Sequence, residues 1–151
     1  MGQIQAEIEN AINQTNTRAT LMSEEDSVAI FKAVESRFAK PRAEGALWDR
    51  LVDSVGCRDV DGWRWLAEFR PADACVMFVP PHLESRAFKF ERCRDIAAVL
   101  AACSGFVVYV AGMNLEYLLC FNDHDYVIAC GAAISWLTSR CAETQKSQTQ
   151  Q

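Results

Sequence analysis

The chain has 151 residues, half of them apolar and 23% charged, which is the composition of one ordinary globular domain. At this length a fold buries roughly 68–70% of the surface of its unfolded chain, so a core forms without staples. No apolar run reaches the ~20 residues of a membrane helix, and 7 Gly with 4 Pro exclude a collagenous or low-complexity chain. The 15 basic and 20 acidic residues leave a net charge of −5, with −4 of it in residues 1–62. Such a chain repels phosphate backbones, which argues against nucleic acid, and favours encounter with a basic protein.

Residues 3–13 place Ile4, Ile8 and Ile12 on one stripe and predict a first helix. A polar loop follows over 14–20. Ser23 before Glu24, Glu25 and Asp26 is an N-cap with acids at the positive end of the dipole. Val28, Phe31, Val34 and Phe38 continue that helix until Pro41 stops it. Leu47, Trp48, Leu51 and Val55 suggest a third helix over 43–55, ended by Gly56. Residues 57–62 read as a turn. Residues 63–69 allow a strand or a short helix, with the helix favoured.

Residues 74–79 are continuously apolar and closed by Pro80 and Pro81, as in a buried strand. Phe88 and Phe90 alternate. Ile96, Val99, Leu100 and Cys103 mark a helix ended by Ser104 and Gly105. Residues 106–110, 115–121 and 126–130 are strands joined by two short turns, an antiparallel meander. A last helix is expected over 132–141, and residues 143–151 read as a disordered polar tail. The expected architecture is one α+β domain over residues 1–142. It has a helical first third, a mainly antiparallel sheet of about four strands, and a closing C-terminal helix. The strands are apolar at nearly every position, so helices should cover both sheet faces.

The opening residues have neither a basic flank nor an apolar core, so no signal peptide is expected and the cytoplasm is the expected location. There the seven cysteines should be reduced. None is closer than ten residues to the next, so no CxxC or zinc motif exists, and no metal or cofactor is expected. A metal at residues 122–125 would need His82 to join from elsewhere. Cys75, Cys103, Cys120 and Cys130 read as small core hydrophobes.

Nucleotide-loop, nucleophile-elbow, HExxH and EF-hand patterns are all missing. Cys93, between Arg92 and Arg94 and just before a helix, is the best candidate for a reactive thiol, with His82 and His124 as possible bases. Arg86, Lys89, Arg92 and Arg94 interleave with Phe88 and Phe90, but Glu84, Glu91 and Asp95 dilute them, so a solvated edge is the better reading than a nucleic-acid site. Asn122, Asp123, His124 and Asp125 form the most polar cluster joined to a rigid hairpin, and the same residue types are ordinary turn formers. Trp63 and Trp65, flanking Arg64, are the best anchors for a partner, with core filling as the alternative.

The run YLLCFNDHDYVIACG over residues 117–131, followed by a helix carrying Trp136, resembles the C-terminal signature of an uncharacterised family of small bacterial proteins. That resemblance implies no catalytic residue. In size and charge the chain also resembles immunity proteins of bacterial toxin systems. These readings converge on a non-enzymatic, cytosolic protein-binding domain, an immunity-type inhibitor of a basic toxin, using Trp63, Trp65, Asp123, His124 and Asp125. A small enzyme or ligand-binding domain with a pocket between sheet and helices is the alternative. A structural subunit with an exposed strand edge is the third reading.

Overall fold

A computed structural model describes residues 2–41 and 44–149. The strands are β1 (Ala19–Leu21), β2 (Val55–Arg58), β3 (Cys75–Phe78), β4 (Phe88–Phe90), β5 (Val108–Gly112), β6 (Tyr117–Phe121) and β7 (Tyr126–Gly131). The helices are α1 (Gln3–Gln14), α2 (Glu24–Phe38), α3 (Ile96–Ala101) and α4 (Ile134–Thr149). Single 3-10 turns occur at Leu47–Asp49, Gly62–Ala67 and Cys93–Asp95.

All seven strands join one antiparallel sheet in the order β1-β4-β3-β5-β6-β7-β2. The α+β class and the β5–β7 meander stand as expected, but the sheet has seven strands rather than about four. Alternation along the strands feeds two cores. Cys75, Met77, Val108, Val110, Tyr117, Leu119, Val127 and Ala129 face the side covered by α1, α3, α4 and the Gly62–Ala67 turn. Val76, Phe78, Tyr109, Ala111, Leu118, Cys120 and Cys130 face α2, through Val34 and Phe38, and Leu51. Each fully buried side chain of this size contributes about 1.5–3 kcal/mol. The sheet is therefore buried on both faces, which is why its strands lack the polar alternation of a one-sided sheet.

The cap expected at Ser23 is present: its Oγ accepts from Asp26 N–H at 3.1 Å. α1 begins after Gly2, which has no side chain to cap with. Its cap comes from 79 residues away, where the buried Glu84 accepts from Gln5 N–H at 3.0 Å.

The expected third helix is overturned. Its start at Ala43 lies outside the described residues. Beyond that point Gly45 has φ +106° and Asp53 has φ +49°, both incompatible with a continuous helix. Leu47 and Trp48 sit in a 3-10 turn, Leu51 bridges Ala39, and Val55 opens β2, with Gly56 inside that strand. The apolar spacing served packing against the sheet, not helical periodicity. Residues 57 and 58, expected in a turn, belong to β2, and residues 19 and 20, expected in a loop, belong to β1. The favoured helix over 63–69 is the 3-10 turn Gly62–Ala67. α4 continues through Thr149, past the expected end at Cys141 and across most of the segment read as a tail.

The expectation of seven reduced cysteines is also corrected. Cys57 on the edge strand β2 is disulfide-bonded to Cys141 on α4, with 5.9 Å between Cα atoms. The other five are free thiols. No helix of the described residues is long and apolar enough to cross a membrane.

Candidate functional site

The turn between β6 and β7 is built by Asn122. Its Oδ1 accepts from the backbone N–H groups of His124 and Tyr126, both at 3.0 Å, and Asn122 is itself buried. Asp125 takes φ +62°, a left-handed conformation that Asp tolerates. The turn-forming reading of Asn122 thus holds, and it leaves the side chains that follow free to face outward. Asp123 and His124 are two-thirds exposed and 3.8 Å apart, and the His124 ring stands edge-on to Trp48.

A second acidic loop lies against this turn. β2 pairs with β7, and the pairing runs on as Asp59 N–H donating to the Asp125 carbonyl at 2.9 Å. Asp59 Oδ1 accepts from Asp61 N–H at 2.8 Å, and Gly62 then opens the 3-10 turn that carries Trp63. Asp59, Asp61, Asp123 and Asp125 therefore gather at one end of the sheet. Arg58, whose Nε reaches the His124 carbonyl at 3.4 Å, and Arg64, whose guanidinium lies 4.6 Å from the Trp63 ring centre, offset part of that charge.

Two clefts open beside the turn, one on each side of the sheet's end. The first, about 420 Å³, runs between the end of α3, the start of β5 and the hairpin, and is walled by Trp63, Leu100, Phe106 and Phe121 with Asp123 and Asp125 on its polar side. The second, about 610 Å³, lies beside α2 and the 3-10 turn at Trp48, over Phe78 and Tyr109, and includes Arg50, His82 and again Asp123. Val107 and Asp123 line both.

Of the residues singled out from sequence, Trp63, Asp123 and Asp125 come together at the first cleft, with His124 on the far side of the turn. Trp65 does not join them. It is 4% exposed and capped by the Arg140 guanidinium 4.3 Å from its ring centre, so it fills core and offers no surface to a partner. His82 reaches the second cleft only.

Cys93 is not an exposed nucleophile. It is buried, its thiol donates to the Leu66 carbonyl at 3.4 Å, and the equally buried Cys75 is its neighbour in the core. Interaction between the two thiols lowers the Cys93 thiol and raises the Cys75 thiol. Neighbouring Cys75, not Arg92 or Arg94, is the principal cause. Tyr117 packs in the same core, and its buried hydroxyl has no hydrogen-bond partner among the described residues. Cys103, at the first cleft, is partly exposed, and burial followed by the charge of Glu7 pushes it up to about 11.

The basic stretch is dispersed into local contacts. Arg86 donates to the Met22 carbonyl at 2.7 Å, Arg94 to the Pro71 carbonyl at 3.4 Å, and Arg92 lies 3.9 Å from Asp95. Among the described residues, no three His, Cys, Asp or Glu side chains are placed to hold one metal ion.

Sequence reasoning found the hairpin but missed the Asp59–Asp61 loop beside it and the wall from Leu100 to Val108. The loop is placed by a strand pairing across about 70 residues, Cys57 with Val127, and the wall meets the hairpin through the pairing of Val108 with Phe121, so the apolar runs show the elements but not their meeting. Compared with protein-family models, curated proteins and solved structures, the chain matches none.

Proposed function

We propose that this chain is a non-catalytic protein-binding domain whose binding face is the acidic end of its sheet. The observation that carries the reading is the convergence of Asp59, Asp61, Asp123 and Asp125 from two paired loops around the half-buried Trp63. Carboxylates on a rigid hairpin steer a basic partner, and a partly exposed Trp beside an apolar cleft supplies an anchor. The thiols argue the same way. Cys75 and Cys93 are closed off from solvent, so catalysis by either thiol has no route to a substrate.

The size and charge of the chain fit an immunity-type inhibitor of a basic toxin. A cytosolic setting is not part of the proposal, because the Cys57–Cys141 bond belongs to oxidising surroundings. A ligand-binding role is the second reading, favoured by the 610 Å³ cleft between α2 and the sheet, a volume within the usual range for small-molecule sites.

The test is affinity capture from the source organism at low and high salt, with wild type and with Asp123→Asn/Asp125→Asn. A single stoichiometric basic protein, released by salt and lost from the double variant, supports the reading. The same partner retained by the variant with unchanged salt dependence sinks it.

A further inference from the structure

The first cleft has an uneven chemistry. Its walls are aromatic and aliphatic: Trp63, Phe106 and Phe121, with Leu100 at the end of α3. Its charged groups are Asp123 and Asp125 alone, and no Lys, Arg or His lines it among the described residues. The Asp125 carboxylate makes no ion pair or hydrogen bond among those residues, and the partner of Asp123 is His124 at 3.8 Å, on the solvent side of the turn. Arg64 is held on the Trp63 ring and Arg58 on the His124 carbonyl, and neither is a lining residue. The cleft therefore pairs an apolar body with negative charge that no lining cation meets at its polar side.

The geometry points to a binding site for an amphipathic organic cation: a primary ammonium held by Asp123 and Asp125, joined by a short linker to an aromatic or branched apolar body packed against Trp63, Phe106 and Phe121. The apolar part leaves water for a preformed wall, and the ammonium replaces water at carboxylates that no lining cation meets. The proposal deepens the protein-binding reading and rests on it in taking the acidic hairpin as a recognition surface. A lysine beside an apolar side chain on a partner and a free arylalkylamine offer the same chemistry.

The test is titration of the intact, disulfide-bonded protein with phenethylammonium, followed by the backbone amide signals of Ser104, Gly105 and Asn122. The anion 3-phenylpropionate, with the same phenethyl body, and a capped Lys-Phe dipeptide amide are titrated alongside. Phenethylammonium should shift those signals saturably and bind roughly tenfold tighter than 3-phenylpropionate, as expected for two carboxylates near a surface. Asp123→Asn/Asp125→Asn should bring that ratio to about one. Ala101→Phe, at an exposed cleft position, should abolish binding while the circular dichroism spectrum stays unchanged.

Should Ala101→Phe misfold, protection of Cys103 from alkylation by saturating phenethylammonium reads the same occupancy in the wild type. Tighter binding of the dipeptide assigns the cleft to a partner's side chains, and tighter binding of the free amine assigns it to a small molecule; both support the site. Equal binding of cation and anion, shifts confined to other amides, or unaltered binding by folded Ala101→Phe would overturn it. No partner protein enters this titration. Its failure leaves the salt-dependent capture to be judged alone, and a failed capture leaves the cleft's selectivity intact.

Discussion

Removing the Cys57–Cys141 bond should lower stability by an amount set by chain topology. The bond closes a loop over a sequence separation of 84 residues. Loop-closure entropy for that length gives about 4.5 kcal/mol at 25 °C, within the usual 2–5 kcal/mol for loss of a native disulfide. For a chain of this size each kcal/mol moves the melting temperature by roughly 2–4 °C, so a fall of about 9–18 °C is expected. The reduced protein should still fold, because Leu137 of α4 remains buried in the core without the bond. The assay is thermal unfolding by circular dichroism of the oxidised protein, the same protein with reductant, and Cys57→Ser/Cys141→Ser. The double variant and the reduced protein should agree with each other and fall together. A double variant melting within about 2 °C of the oxidised form would refute the reasoning. So would seven titratable thiols in the denatured, unreduced protein, which would show that the bond does not form.

Glu84→Ala should destabilise by about 1–2 kcal/mol in urea unfolding, because it removes the acceptor for Gln5 N–H at the start of α1; Glu84→Gln should recover part of the loss. Glu7 accepts from both the N–H and the hydroxyl of Ser104, and those bonds hold its carboxyl below the ordinary value of 4.5. A depressed carboxyl stabilises the fold above its unfolded pKa and loses that contribution as pH falls through the folded one. The α1–Ser104 contact should therefore loosen only below about pH 4.5, read by the Ser104 amide shift, and Glu7→Gln should flatten that titration. Iodoacetamide at neutral pH should label Cys103 alone among the free thiols, and slowly, since its thiol is pushed up to about 11 while Cys75, Cys93, Cys120 and Cys130 are buried. Rapid labelling of Cys93 would contradict its placement in the core.

The elements legible in sequence were those whose signal is local. Ser23 with three following acids marks the start of α2 because the cap and the dipole act within one turn. β3 and the meander carry apolar runs punctuated by Pro80, Gly112 and Asn122, and they formed within two residues of the expected places. The three short strands β1, β2 and β4 were not legible as a group. They are three or four residues long and exist through their partners, as Ala19 does through Phe90 and Val55 through Ala129.

At the site, the hairpin's turn chemistry was readable from Asn122 and the two aspartates. The separation of Trp63 from Trp65 was not, although they differ by two positions. A 3-10 turn, unlike a strand, does not return residues two apart to one side, so one ring reaches the cleft and the other enters the core. The disulfide escaped for the same reason as the short strands: its two cysteines meet only once β2 has docked beside β7.

The strand order also fixes when things happen during synthesis. The first two strands to leave the ribosome, β1 and β2, occupy opposite rims of the finished sheet, and the five strands between them come from residues 75–131. Each early strand must wait for a partner made later: β1 for Phe88–Phe90, β2 for Tyr126–Gly131. The first 60 or so residues thus emerge with helices but no sheet to join, and pairing becomes available first at the β1 rim, once β4 follows β3, and last at β2. The last edge is latched only when Cys141 arrives, about 84 residues after Cys57 and, at ordinary elongation rates, some 4–17 seconds later. Through that interval Cys57 is an unpaired thiol on an unfinished edge, and whatever holds it then decides how faithfully the chain closes.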